Sequence, residues 1–131
     1  MNAVQQIVGA AAVLVAAPCM AHHSMAMFDP AKTLTLHGTI KEFQWTNPHC
    51  FIQLLVPKAV GPAGAGSVVE WSIELNSPLA SYRLGFRPRM LKPGDQVTVV
   101  ISPVKDGSAG GQFISATDAT GRRLPAAKEP T

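Results

Sequence analysis

The chain has 131 residues, 47% of them apolar and 15% charged, with a net charge of +3 at pH 7. That length supports one domain with a core of modest size and excludes several. The positive charge is too mild for a nucleic-acid-binding signature.

Residues 1–21 carry no charged side chain, and the apolar run Ile7–Ala17 ends at Pro18. A bilayer span needs roughly 20 apolar residues, whereas a secretory h-region needs roughly 7–15. Small residues at Cys19 and Ala21 fit cleavage after Ala21, although no Lys or Arg follows Met1. A cut after Ala17 would leave Pro18 at the terminus, and Pro18 also speaks against lipidation of Cys19. The expected organisation is a signal peptide (1–21), one domain (22–124) and a loose C-terminal tail (125–131). The mature protein is expected in the periplasm, with no stable transmembrane anchor after cleavage. Cys50 is then its only cysteine, so no intramolecular disulfide forms. An apolar strand context favours a buried core thiol over a metal ligand for Cys50.

Thr33–Trp45 reads as a long first strand. Leu34, Leu36 and Ile40 share one parity and Phe43 and Trp45 the other, which predicts a bulge near Lys41-Glu42. The Trp45-Thr46-Asn47-Pro48-His49 segment is a corner, with Asn47 suited to cap it through its side chain. Cys50–Val56 is a continuous apolar strand. The Gly- and Pro-rich segment 57–66 predicts a mobile hairpin loop. Val69, Trp71, Ile73 and Leu75 alternate with Glu70, Ser72, Glu74 and Asn76, giving a half-buried third strand.

Ser77-Pro78 opens a helix of one to two turns with Ser77 as its cap, Leu79 and Tyr82 facing inward, and Gly85 ending it. Arg83, Arg87, Arg89 and Lys92 crowd the segment that follows. Solvated charge around a loop is the plain account of them, and an anionic partner or membrane headgroups the sharper one. A turn at Leu91–Asp95 leads to a fourth strand with Val97, Val99 and Ile101 on one face. A second turn at Lys105-Asp106-Gly107 leads to a fifth, about Gln112–Thr120, and a tight turn follows at Thr120-Gly121-Arg122. Three strands, a short helix and two strands, the first one bulged, predict an all-β fold. Its expected form is a small OB-like five-stranded Greek-key barrel with one short helix between strands 3 and 4. A different small sandwich or open barrel is the competitor.

The chemistry concentrates on histidine. If the chain is cut after Ala21, His22 carries a free amine beside its imidazole, with His23 adjacent and Met25 and Met27 close behind. An α-amino group titrates near ~8 and imidazole near ~6.5, so both release protons to a metal at neutral pH. Imidazole suits copper and zinc, and thioether sulfur suits Cu(I). His49 is the candidate second imidazole, its rival reading being a corner residue bonded to backbone. His37 reads as a surface residue. Glu70 and Glu74 share a strand face about 13 Å apart at ~3.3 Å per residue, wider than a glycosidase carboxylate pair. Ser72 lacks a histidine or acid at any motif spacing. No phosphate loop, Cys-x-x-Cys or His-Glu-x-x-His is present, so no enzyme is expected.

The segments His22-His23-Ser24 with Phe28-Asp29, Gly38-Thr39-Ile40, Trp45–His49, Trp71–Glu74 and Leu91–Asp95 resemble a family of small exported bacterial proteins, the domain of unknown function family 6152. The resemblance runs over roughly His22–Leu124 and implies a periplasmic β protein without assigning a biochemistry. Exported copper carriers and copper-dependent oxygenases also use a mature N-terminal histidine, but their remaining motifs are missing from this chain. The leading expectation is a periplasmic protein that holds or transfers a copper ion through His22, His23, His49, Met25 and Met27. Its partners would be a metal donor or acceptor in the envelope. The alternatives are an OB-like module binding a ligand on Trp45, Phe51, Trp71 and Tyr82, and an accessory subunit docking through Arg83–Lys92.

Overall fold

The computed structural model of the protein describes residues 24–58 and 66–125. The leader, His22, His23, the central part of the Gly/Pro loop and residues 126–131 lie outside the described residues. The elements are α1 (Ser24–Met27), β1 (Leu34–Gln44), β2 (Phe51–Pro57), β3 (Val68–Glu74), α2 (Pro78–Arg83), β4 (Gln96–Pro103), β5 (Gly110–Asp118) and β6 (Arg123–Leu124).

A long, bulged first strand is what makes the closed barrel possible. Residues Leu34–Thr39 of β1 pair with β4, whereas Thr39–Gln44 pair with β2. The register shifts between Ile40 and Glu42. The extra residue, Lys41, turns the strand so that Leu36 and Ile40 before it and Phe43 and Trp45 after it all meet the core. The sheet order is β3-β2-β1-β4-β5-β6, and a parallel β3–β5 pairing closes it. Five strands therefore form a closed barrel, with α2 between β3 and β4, as the sequence predicts. β6 adds a two-residue edge pairing with β5 that the sequence did not announce.

The core is aliphatic, centred on Ile40, Ile52, Leu54, Ile73, Val99 and Ile101, and capped by Phe86 and Leu91. Cys50 is wholly buried within it, as a small apolar side chain next to a strand should be. Its backbone prolongs the β2–β3 ladder: Cys50 N–H donates to the Asn76 carbonyl, and Leu75 N–H to the Cys50 carbonyl.

Three local expectations need correction. β5 begins at Gly110, two residues before Gln112: Gly110 and Gly111 pair with Ser72 and Ile73 of β3, and a side chain at Gly111 would press on Ile101 and the Ser102 carbonyl of β4. It also carries its own bulge: Val100 faces Ser115 and Ile101 faces Phe113, which leaves Ile114 projecting outward. The corner before β2 is closed by the Thr46 hydroxyl, which donates to the His49 carbonyl at 2.7 Å, and not by Asn47.

The third correction concerns α2. Ser77 does cap it, accepting from Ala80 N–H, and Gly85 follows it at a positive φ of 106°. Leu79 and Tyr82, however, are 61% and 52% exposed, and the buried helix residue is Ser81. Leu75 before the helix and Phe86 after it already fill this end of the core. The helix therefore needs only a small inward residue, and the Ser81 hydroxyl satisfies itself on the Asn76 carbonyl at 3.2 Å.

The turn from β5 to β6 is organised by one carboxylate. Asp118 accepts from the Thr120 hydroxyl, Thr120 N–H, Arg122 N–H and the Arg122 side chain. The Thr120 hydroxyl first, then these other donors, hold its pKa at about 2 against an ordinary 3.8. A carboxylate depressed in the folded state contributes stability that is complete above the unfolded value and is lost as pH falls through the folded one. The contribution of Asp118 should therefore be intact above pH 4 and disappear toward pH 2. Carboxyl NMR titration should find the depressed value, and Thr120→Val should move it back toward the ordinary range. An unshifted Asp118 in the parent protein would contradict this turn.

Candidate functional site

At one end of the barrel the β1–β2 corner, the end of β3 and the start of β5 lie side by side. Phe51 at the start of β2 pairs with Glu74 at the end of β3, and Glu74 pairs in turn with Gln112 in β5. His49 stands two residues before Phe51, so the corner delivers its ring to the Glu74 carboxylate. The Nδ1–Oε1 distance is 2.7 Å, with Glu74 largely covered and the imidazole about one-third exposed. A carboxylate only accepts, so Nδ1 carries the hydrogen of this bond. Nε2, the other ring nitrogen, is thereby the one left to bind a further group, in the arrangement that orients metal-ligating histidines.

The N-terminal segment reaches the same end. Asp29 N–H donates to the Pro103 carbonyl, Phe28 bridges Val104, and Lys105 N–H donates to the Met27 carbonyl. Beyond that anchor, α1 carries Met25 to Gln112, whose side-chain amide approaches the Met25 sulfur at 3.4 Å. Gln112 is the register partner of Glu74. Met25, Gln112, Glu74 and His49 thus form a chain of neighbours across β5, β3 and the corner.

The expected metal residues divide as follows. His49 and Met25 come to one end of the barrel. Met27 is exposed at 45% on the same short helix. His22 and His23 lie outside the described residues. Among the described residues, no three His, Cys, Asp or Glu side chains converge on one point. His37 is exposed on β1, with Nδ1 2.9 Å from the Thr98 hydroxyl, the surface position its parity predicts.

Sequence reasoning missed Glu74 as the partner of His49, and Gln112 as the neighbour of Met25. Both follow from register across β3 and β5. The only available signal was the parity of Glu74, outward on a strand that a hairpin would bring beside the corner. The other carboxylate of that face, Glu70, pairs with Lys41 at 2.7 Å, and Ser72 bonds to Gln53. Of the four aromatics, Trp45, Phe51 and Trp71 are half-buried, the two tryptophans packing against the core, and Tyr82 lies beneath Arg87.

Fold and site together describe a small closed barrel of OB connectivity with a histidine–carboxylate pair at one end. The family model described as "Family of unknown function (DUF6152)" matches residues 11–113, and the chain belongs to that family. No curated protein matches the chain.

Proposed function

We propose that this is a periplasmic copper-binding protein, which holds or hands over the ion at the barrel end that carries His49. His22 supplies its amine and imidazole, and His49 supplies Nε2. His23 is a reserve imidazole, and Met25 and Met27 are soft donors for the reduced ion. The observation that carries this reading is the chain of neighbours Met25–Gln112–Glu74–His49, whose two ends are a candidate donor and the residue that Glu74 orients. His22 stands three residues before Met25, within at most about 10 Å of extended chain. The small domain and the separate engagement of Glu70, Ser72 and Glu74 favour a carrier over a catalyst.

The test is Cu(II) titration into protein that begins at His22 and into a version with one residue added before it. The added residue converts the amine into a peptide nitrogen and should weaken binding at least tenfold. Equal affinities would overturn the terminal-amine site. Glu74→Gln keeps the shape but removes the charge behind His49, and a 10- to 100-fold loss of affinity is typical of such orienting partners. An undiminished affinity in Glu74→Gln would remove His49 from the ligand set.

A further inference from the structure

The face of α2 that the sequence assigns to the core is turned outward, and it is neither neutral nor concave. Leu79, Tyr82 and Arg83 stand at i, i+3 and i+4 and so share one side of the helix. All three are exposed. Arg87 lies over the Tyr82 ring with its guanidinium carbon 3.8 Å from the centroid, and it donates to the Tyr82 and Phe86 carbonyls. Arg89 and Lys92 follow, also exposed. From Leu75 to Gly94 the chain has these four cations and no carboxylate. The flanking acids are turned elsewhere, Glu74 to His49 and Asp95 to the Lys92 backbone N–H. Among the described residues none of the four cations is ion-paired.

We propose that this face is a docking surface for an anionic phospholipid bilayer. Protruding leucine and tyrosine beside arginines is the combination that suits the boundary between headgroups and acyl chains. The apolar tips enter, the tyrosine sits at the interface, and the long cationic stems lie flat with their charges among phosphates. An acidic protein partner would need a matched concave surface for Leu79 and Tyr82 and a fixed array of carboxylates. A bilayer needs neither, because its lipids rearrange around the protein. The barrel end that carries Glu74 and His49 adjoins α2 through Leu75 and Asn76, so docking would hold that end close to the membrane. The proposal does not depend on metal binding.

The test is flotation with vesicles of phosphatidylcholine alone and with about one-third phosphatidylglycerol, in the presence of a chelator. The protein should begin at His22, so that the apolar run Ile7–Ala17 contributes nothing. Among the described residues the buried hydrophobic side chains run from Phe28 to Leu124, all within the tested chain, and the altered side chains are exposed, so folding is spared. Binding should require phosphatidylglycerol and weaken with salt. It should fall about fivefold for each of Arg83→Gln and Arg89→Gln, from roughly 1 kcal/mol per cation at an anionic surface. Leu79→Ser should also weaken it, whereas Lys32→Gln, which removes a cation already paired with Asp29, should not. Equal binding to the two vesicle types, or an equal loss in Lys32→Gln, would overturn the proposal. Binding to polyglutamate with none to vesicles would overturn it in favour of an acidic protein partner.

Discussion

Ile73→Ala is expected to destabilise the protein by about 3–4 kcal/mol, within the range for emptying a buried aliphatic site. Ile73 is fully buried near the C-terminal end of β3, with Ile52 opposite it on one side and Gly111 on the other. It therefore packs where the barrel closes. Truncation leaves a cavity in the barrel interior, whose walls are hydrogen-bonded strands with little freedom to collapse into it. Urea unfolding should show a lower midpoint with an unchanged slope, since the surface exposed on unfolding hardly changes. Ile73→Val, which removes one methyl group, should cost about 1 kcal/mol. A loss below that for alanine would mean that β3 and β5 do not close the barrel in solution.

Gly111→Ala tests the other side of β5, where it packs against β4, by overfilling it. A Cβ at this position would stand 2.5 Å from Ile101 Cδ1 and 2.6 Å from the Ser102 carbonyl oxygen. The first neighbour is a flexible tip, but the second is backbone in the adjoining strand and has no room to retreat. The expected cost is about 2–3 kcal/mol, toward the upper part of the range for an added methyl group in a packed interior. Ile101→Val removes the Cδ1 contact and leaves the carbonyl. The double variant should therefore be more stable than the sum of the two single losses predicts, and denaturant unfolding of all four proteins measures that coupling. Strict additivity would show that Ile101 does not set the space at Gly111.

Much of this barrel can be read along the chain. The parity change around Lys41, the alternation from Val69 to Leu75, the Ser77-Pro78 helix start and the glycine at 85 each predict a local conformation that the fold contains. Such features are set by neighbours in sequence: side chains alternate in a strand, Ser77 can reach the N–H three residues on, and glycine accepts a positive φ. The reading failed where a residue's surroundings come from distant parts of the chain. Leu79 and Tyr82 look like an inward face when α2 is considered alone. Phe86 and Leu75 had already taken that space, and only packing reveals this.

The candidate site divides along the same line. By itself the sequence determined the kinds of donor available, namely histidines at 22, 23 and 49 with methionines at 25 and 27. It also determined that Cys50 sits in an apolar run, because residue type and local pattern are enough for both. Only the tertiary structure decided that Glu74 orients His49 and that Met25 arrives beside Gln112. Those pairings depend on the register of β3 against β2 and β5, which is fixed when the whole barrel closes around Ile73 and Gly111.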